Sequence, residues 1–343
     1  MILFLSKLFS VILVEIFFIL FFSKFAKVID LLDYPDSRKT HQGNIPLVGG
    51  LCVFLTLVFT FFLVETTFQL KIILISCFII LFVGLYDDKY KLGITERFFF
   101  QIIACLIVVG FGIRIHDIGQ YNGFVIGFGG FGILLSFITI IAYTNAINFV
   151  DGLDGLASGL ILNCLFSIIV FSYFDEKTNN IELLIFVFMI VGIFFIANFG
   201  IILPKIFLGD SGSTSLGFLI SCLLVYYTLP ENRYFHPILT LWCAPLPTFD
   251  LLTVFFRRAY NKINPFNPDR RHLHYLMLSR NYSGTYVTFF LILTSFLLSF
   301  FGFITYYFKG SAYSAAFFVF LFIIYLLYSL YMGKENNFQR TSH

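Results

Sequence analysis

The sequence predicts an all-α polytopic integral membrane protein, a single domain over residues 1–343, with about eleven transmembrane helices, the N-terminus outside and the C-terminus cytoplasmic. Three observations predict it. Hydrophobic residues make up 59% of the chain and charged residues 12%, whereas a soluble domain carries about 25% charged residues, so a water-facing surface cannot be built from it. The apolar residues gather into stretches near the ~20 residues that a helix needs to cross a bilayer. Lysine and arginine concentrate in alternate connections between those stretches.

In chain order the stretches are 8–23, 45–64, 70–85, 98–113, 128–147, 155–173, 181–198, 212–229, 236–256, 286–308 and 311–331. No small-residue cleavage site follows the first, which therefore reads as a retained span rather than a removed signal peptide. Connections 24–44, 86–97, 148–154, 199–211 and 257–285, with the tail, hold 16 of the 22 Lys and Arg residues. The opposite side holds Lys7, Lys71, Arg114, Lys177, Arg233 and Lys309. Cytoplasmic loops carry such an excess, which sets the expected orientation.

Composition excludes other classes. A net charge of +3 spread over a hydrophobic chain gives no basic surface for nucleic acid. Cys52, Cys77, Cys105, Cys164, Cys222 and Cys243 fall inside apolar runs without a CxxC, so they read as packing residues rather than disulfides or zinc ligands. No internal repeat is visible, which weakens a transporter built from inverted halves.

Four polar constellations interrupt this background. Asp87-Asp88 stands at the end of the third stretch; a paired carboxylate there can hold a divalent cation or divide into a base and an ionised partner, or simply be a solvated helix end neutralised by Lys89 and Lys91. Asn145, Asn148, Asp151 and Asp154 recur every third residue as the fifth stretch ends. Polar groups at membrane depth cost several kcal/mol unless partnered, and Gly152 and Gly155 offer a break that re-aims the two acids; interhelical glue is the plainer reading. In Phe207–Thr214, Asp210 precedes Ser211, Ser213 and Thr214 at a helix start, either as the cap or as a hard-cation ligand. Finally Arg257-Arg258 leads to Asn264-Pro-Phe-Asn-Pro-Asp269-Arg270-Arg271-His272-Leu-His274. Its prolines forbid a continuous helix, an extended HxH turns both imidazoles one way, and arginine forks suit phosphates; a basic loop touching anionic lipid is the alternative. Of the isolated charges, Asp250 lies about two turns before Arg257 and is expected to pair with it, while Glu15 suggests only helix pairing.

All four constellations fall on the basic side, after the third, fifth, seventh and ninth stretches. Carboxylates, imidazoles and arginines pooled there suit a metal-chelated phosphorylated substrate met from the cytoplasm and a second substrate supplied by the bilayer, that is, phosphoryl transfer.

At these residues the chain resembles the polyprenyl-phosphate N-acetylhexosamine-1-phosphate transferases of glycosyltransferase 4 type, most of all the bacterial branch that loads GlcNAc-1-phosphate onto undecaprenyl phosphate. The matching stretches are Arg38-Lys-Thr-His-Gln-Gly-Asn-Ile-Pro-Leu-Val-Gly-Gly50, Asp87-Asp88, Asn145 to Gly155, Phe207 to Thr214 and Asn264 to His274, in the family's order. The resemblance implies a Mg²⁺-dependent reaction (with Mn²⁺ as a substitute) between a UDP-N-acetylhexosamine and undecaprenyl phosphate that releases UMP. It implies the first membrane step of a cell-envelope polysaccharide of O-antigen, enterobacterial common antigen or teichoic-acid type, at the cytoplasmic face of a bacterial inner membrane, with a homodimer left open. Carried over by motif, Asp87 and Asp88 look catalytic, Asp87 as the base; Asp210, Asn148 and Asp88 look like metal ligands. Asn145, Asp151, Asp154, Arg258, Asp269, Arg270, His272, His274 and His41 look like substrate-binding residues.

Two positions depart from the family pattern: Lys91 stands where a third acid often follows the Asp pair, and Tyr275 where another His often follows the HxH. The rival readings are a phospho-MurNAc-pentapeptide transferase of peptidoglycan synthesis, whose usual consecutive His run is lacking, and a lipid-linked or nucleotide-sugar transporter, which wants polar residues along a path through the midplane.

Overall fold

The structure is a computed structural model and describes residues 2–34, 43–176, 181–260 and 272–341. Thirteen α-helices occur among the described residues: α1 (Ile2–Ile29), α2 (Gly49–Leu63), α3 (Phe68–Tyr90), α4 (Ile94–Gly110), α5 (Phe131–Val150), α6 (Leu156–Phe174), α7 (Ile181–Phe199), α8 (Gly209–Tyr226), α9 (Ile238–Cys243), α10 (Pro245–Tyr260), α11 (Leu273–Leu278), α12 (Gly284–Lys309) and α13 (Ser311–Thr341). Each of the eleven apolar stretches falls on a helix. Seven helices, α1, α3, α5, α6, α7, α12 and α13, are long and apolar enough to cross a membrane, which makes the protein a multi-pass membrane protein. The others differ for local reasons. α2 has 15 residues and α4 has 17, α8 opens on the polar run Gly-Asp-Ser-Gly-Ser-Thr-Ser, and the ninth stretch breaks at Ala244 into α9 and α10. Pro245, lacking an N–H, starts α10 where no intrahelical donor is needed.

Two expectations change. The helices outrun the apolar stretches: α1 continues to Ile29, α3 carries Asp87 and Asp88 inside it, and α5 carries Asn148, so parts of the connections read as loops are helical. The chain is also not wholly helical. β1 (Leu32–Asp33) pairs antiparallel with β2 (Ile45–Pro46), and β3 (Asp117–Tyr121) with β4 (Phe124–Gly127). The second pair is a hairpin turning at Asn122 (φ 48°) and Gly123 (φ 88°), the left-handed pair that a tight two-residue turn demands.

α8 is the central post. Every residue from Ser211 to Tyr226 is buried, and α2, α3, α5 and α6 pack around it. Lipid provides no hydrophobic drive between helices, so close packing of small residues and polar contacts hold them. Gly84 of α3 lets the start of α8 approach so closely that an added Cβ would lie 2.3 Å from Ser211 Cα. Farther out, Asn163 of α6 donates to Ser295 Oγ (3.1 Å) and Ser299 Oγ (3.0 Å) of α12. Glu15 is fully buried and faces Thr56 and Cys52 of α2, a helix-pairing position. α1 and α13 lie at the periphery and expose Phe9, Phe17, Phe320 and Leu327, side chains suited to lipid.

Candidate active site

The start of α8 organises the polar residues. A helix N-terminus leaves four backbone N–H groups without intrahelical partners. Leu208 precedes α8 and gives no side-chain cap. The cap comes from another helix: Asp88, at the end of α3, accepts from Asp210 N at 2.8 Å and from Ser211 N at 3.1 Å. Gly209 (φ +74°) makes room, since a Cβ there would stand 2.6 Å from Asp88 Oδ2. Asp210 therefore does not cap its own helix, and its carboxylate is released for other contacts. Its Oδ1 accepts from Asn148 Nδ2 at 3.0 Å, and its Oδ2 lies 3.7 Å from Arg97 Nη1. Asn148, two residues from the end of α5, also donates to Ser213 Oγ at 2.8 Å.

Asp87 is held on the other side of the same cluster. Its Oδ1 accepts from Leu92 N at 2.6 Å and its Oδ2 from Arg97 Nη1 at 3.0 Å. Arg97, in the first turn of α4, thus stands between Asp87 and Asp210. These three residues and Gln101 line a crevice that descends to Ile80, Val83 and Gly84, running from charge into apolar surface.

The turn 151–155 between α5 and α6 supplies two more acids, with Gly155 (φ +74°) accommodating the reversal. Asp154 pairs with Lys205 at 2.5 Å. Burial, with Asp210, Asp88 and Asp154 around it, pushes the Asp151 carboxyl up to about 8. The region carries more negative charge than Arg97 and Lys205 compensate.

His272 and His274 close the far side. His272 is extended but His274 is in the first turn of α11, so the HxH is not the extended segment that would turn both imidazoles one way; their rings nevertheless lie parallel, 5.9 Å apart. His272 packs on Phe149 with centroids 5.3 Å apart. His274 Nε2 is directed at Gly152, where a Cβ would lie 3.1 Å from it; it is buried with no hydrogen-bond partner among the described residues, and burial pulls its pKa down to about 4.

The structure thus brings Asp87, Asp88, Asp210, Asn148, Asp151, Asp154, His272 and His274 to one end of the helices. Arg258 is buried on α10. Asn145 is instead engaged within the helix layer, where its Nδ2 donates to Gln101 Oε1 at 2.8 Å. His41, Asp269 and Arg270 lie outside the described residues. The partner of Asp250 is His272 rather than Arg257: the ring Nδ1 lies 2.6 Å from its Oδ2, while Leu273 N and Tyr325 Oη donate to its Oδ1. Sequence reasoning missed Arg97, Lys205 and Ser213 as site residues. Arg97 had one signal, a cation ten residues after Asp87 at the start of the next apolar stretch, and Lys205 is the single cation of its connection.

Among the described residues no three His, Cys, Asp or Glu side chains form a metal-ligand group. Mg²⁺ requires fewer: it keeps waters and takes one or two carboxylates plus substrate phosphates. Asp210 meets that requirement, its side chain 36% exposed against 3% for Asp87, and the uncompensated acids around Asp151 are a donor set that a divalent cation would offset. The residues present fit the ion, with Asn148 orienting Asp210 through Nδ2.

Comparison with known proteins gives the family. Residues 70–228 match the family described as Glycosyl transferase family 4. The undecaprenyl-phosphate alpha-N-acetylglucosaminyl 1-phosphate transferase of Escherichia coli (strain K12) is 32% identical over 287 residues, 81% of this chain and 77% of the relative. The protein of the same name from Yersinia pestis is 29% identical over 87% of this chain and 83% of its own. A probable undecaprenyl-phosphate N-acetylglucosaminyl 1-phosphate transferase of Bacillus subtilis (strain 168) is 30% identical over 73% of this chain and 70% of its own.

Proposed function

The chain belongs to glycosyl transferase family 4, and from that membership we propose that it transfers N-acetylglucosamine 1-phosphate to undecaprenyl phosphate, with UDP-N-acetylglucosamine as donor and UMP as the leaving product. The observation that carries the reading is the convergence of Asp87, Asp88, Asp151 and Asp210 from α3, the α5–α6 turn and α8 around the start of α8. We read that end of the bundle as facing the cytoplasm at a bacterial inner membrane, with the N-terminus outside; the support is the 16 of 22 Lys and Arg residues in the connections on that side.

Each residue has a derivable task. Asp210, held by Asn148 and exposed, is the group that would hold Mg²⁺; when bound, the ion offsets the charge of the donor diphosphate. Asp88 keeps both oxygens on the backbone of α8, so it builds the site by fixing where Asp210 stands. Arg97 stands beside Ile80 and Val83, a cation next to apolar surface, and would meet the charge of a phosphate whose apolar tail lies in the bilayer. Asp87, 3.0 Å from Arg97, is placed to take a proton from the lipid phosphate. The phosphate oxygen then attacks the sugar-linked phosphorus, a new P–O bond forms, and the bond to UMP breaks.

The test is direct. Purified protein is supplied with undecaprenyl phosphate and UDP-GlcNAc labelled with ³²P in the sugar-linked phosphate. Labelled lipid with stoichiometric UMP, lost on chelation by EDTA and restored by Mg²⁺, is the expected result. Product formation that persists in excess EDTA removes the metal from the scheme, and uptake without chemistry removes the transferase.

A further inference from the structure

Asp250 is a buried carboxylate to which the chemistry above assigns no task. It sits on α10, 6% exposed, and three donors converge on it. His272 Nδ1 lies 2.6 Å from its Oδ2, while Leu273 N and Tyr325 Oη, the latter from α13, donate to its Oδ1, each at 3.2 Å. An ionised carboxylate can only accept, so the ring nitrogen facing it is the one that carries hydrogen. The ring itself lies among site residues: His272 packs on Phe149, next to Asn148 in the chain, and lies parallel to His274.

We propose that Asp250 is a positioning residue for the transfer reaction: by accepting from His272 Nδ1 it fixes the tautomer and plane of that imidazole, so that Nε2 is the nitrogen presented to the phosphorylated donor substrate. Tyr325 completes the carboxylate's acceptor needs and ties α13 to the arrangement. A carboxylate behind a histidine does this generally, selecting one tautomer and stabilising the ring when it is protonated. The rival explanation is purely structural, because accepting from Leu273 N also caps α11. The inference rests on the transferase reading, and the experiment separates the two.

Two measurements decide it. In protein labelled with ¹⁵N-histidine, six rings in all, the His272 signal is identified by its loss in His272→Ala. The wild type is expected to show the proton on Nδ1, and Asp250→Asn is expected to move it to Nε2. A wild-type proton on Nε2 overturns the proposal without reference to activity or to any variant that fails to fold. The second measurement is a double-mutant cycle on lipid-product formation. Asp250→Asn should lower turnover about tenfold or more in the wild-type background and by less than about twofold in His272→Ala, because a residue acting through another contributes nothing once that other is gone. Equal losses in both backgrounds would mark Asp250 as a cap of α11 only. A wild type that forms no lipid product refutes the transferase reading, and the tautomer measurement still judges Asp250.

Discussion

Asp88 caps a helix that is not its own: across 122 positions of sequence, its carboxylate accepts from Asp210 N at 2.8 Å. One acid of the site therefore fixes where another stands. A helix start is normally capped by the residue before it, and shifting that task to α3 leaves the carboxylate of Asp210 open.

The two acids should fail differently. Asp88→Asn keeps one acceptor and turns an amide NH₂ toward a backbone N–H, so α8 should lose about 1–2 kcal/mol of stability and activity with it. Asp210→Asn should abolish lipid-product formation while the melting temperature in detergent changes little. Equal melting losses in both variants would contradict the division of tasks.

Close approach at Gly84 gives a packing test. Alanine there must displace Ser211, whose Cα would be 2.3 Å from the new Cβ, so α3 and α8 separate and the cap with them; a loss of about 1–3 kcal/mol is expected for overpacking. Gly192→Ala in α7 meets nothing within 4 Å and should leave the melting temperature unchanged or slightly raised. Thermal unfolding of both variants checks it.

His274 makes folding pH-dependent. Burial lowers its pKa from 6.5 to about 4, so between these values the unfolded chain binds the proton and the folded one does not. Its contribution is fully present above pH 6.5 and is lost as pH falls toward 4, by roughly 3 kcal/mol in all. On acidification from pH 7 to pH 5 the wild type should lose melting temperature relative to His274→Asn, because only the wild type carries the buried imidazole. The raised carboxyl of Asp151, which gains stability as pH falls, acts equally in both. The same change in both proteins would assign the effect elsewhere.

Orientation is open to labelling. The six native cysteines are buried, so a cysteine placed at Asn122, in the β3–β4 turn, should be the reactive thiol. It should react with a membrane-impermeant maleimide in intact cells, and a cysteine at the exposed Lys91 only after the membrane is opened. The reverse pattern would invert the topology.

The position of the helices and the residue types of the site could be read locally. Apolar stretches report burial in lipid whatever their neighbours are, and Asp87-Asp88, Asn148, Asp151 and Asp210 stand out because polar groups there are costly. Even the hairpin has a local signal, the turn pair Asn122-Gly123, set between two apolar stretches long enough to be helices. Arg97 was visible only as a charge to be counted, and its place between Asp87 and Asp210 follows from the packing of α4 beside α3 and α8.

The sequence by itself determined the solvent, the helical class and the pool of acids, imidazoles and arginines, because each of these depends on composition within a few turns of chain. Only the tertiary structure decided which acid caps, which is left open and which orients a histidine: Asp88, Asp210 and Asp250 are the same residue type and differ by the donors that distant helices bring to them. A carboxylate's role is set by which N–H and O–H groups reach its two oxygens, and those groups arrive through space rather than along the chain.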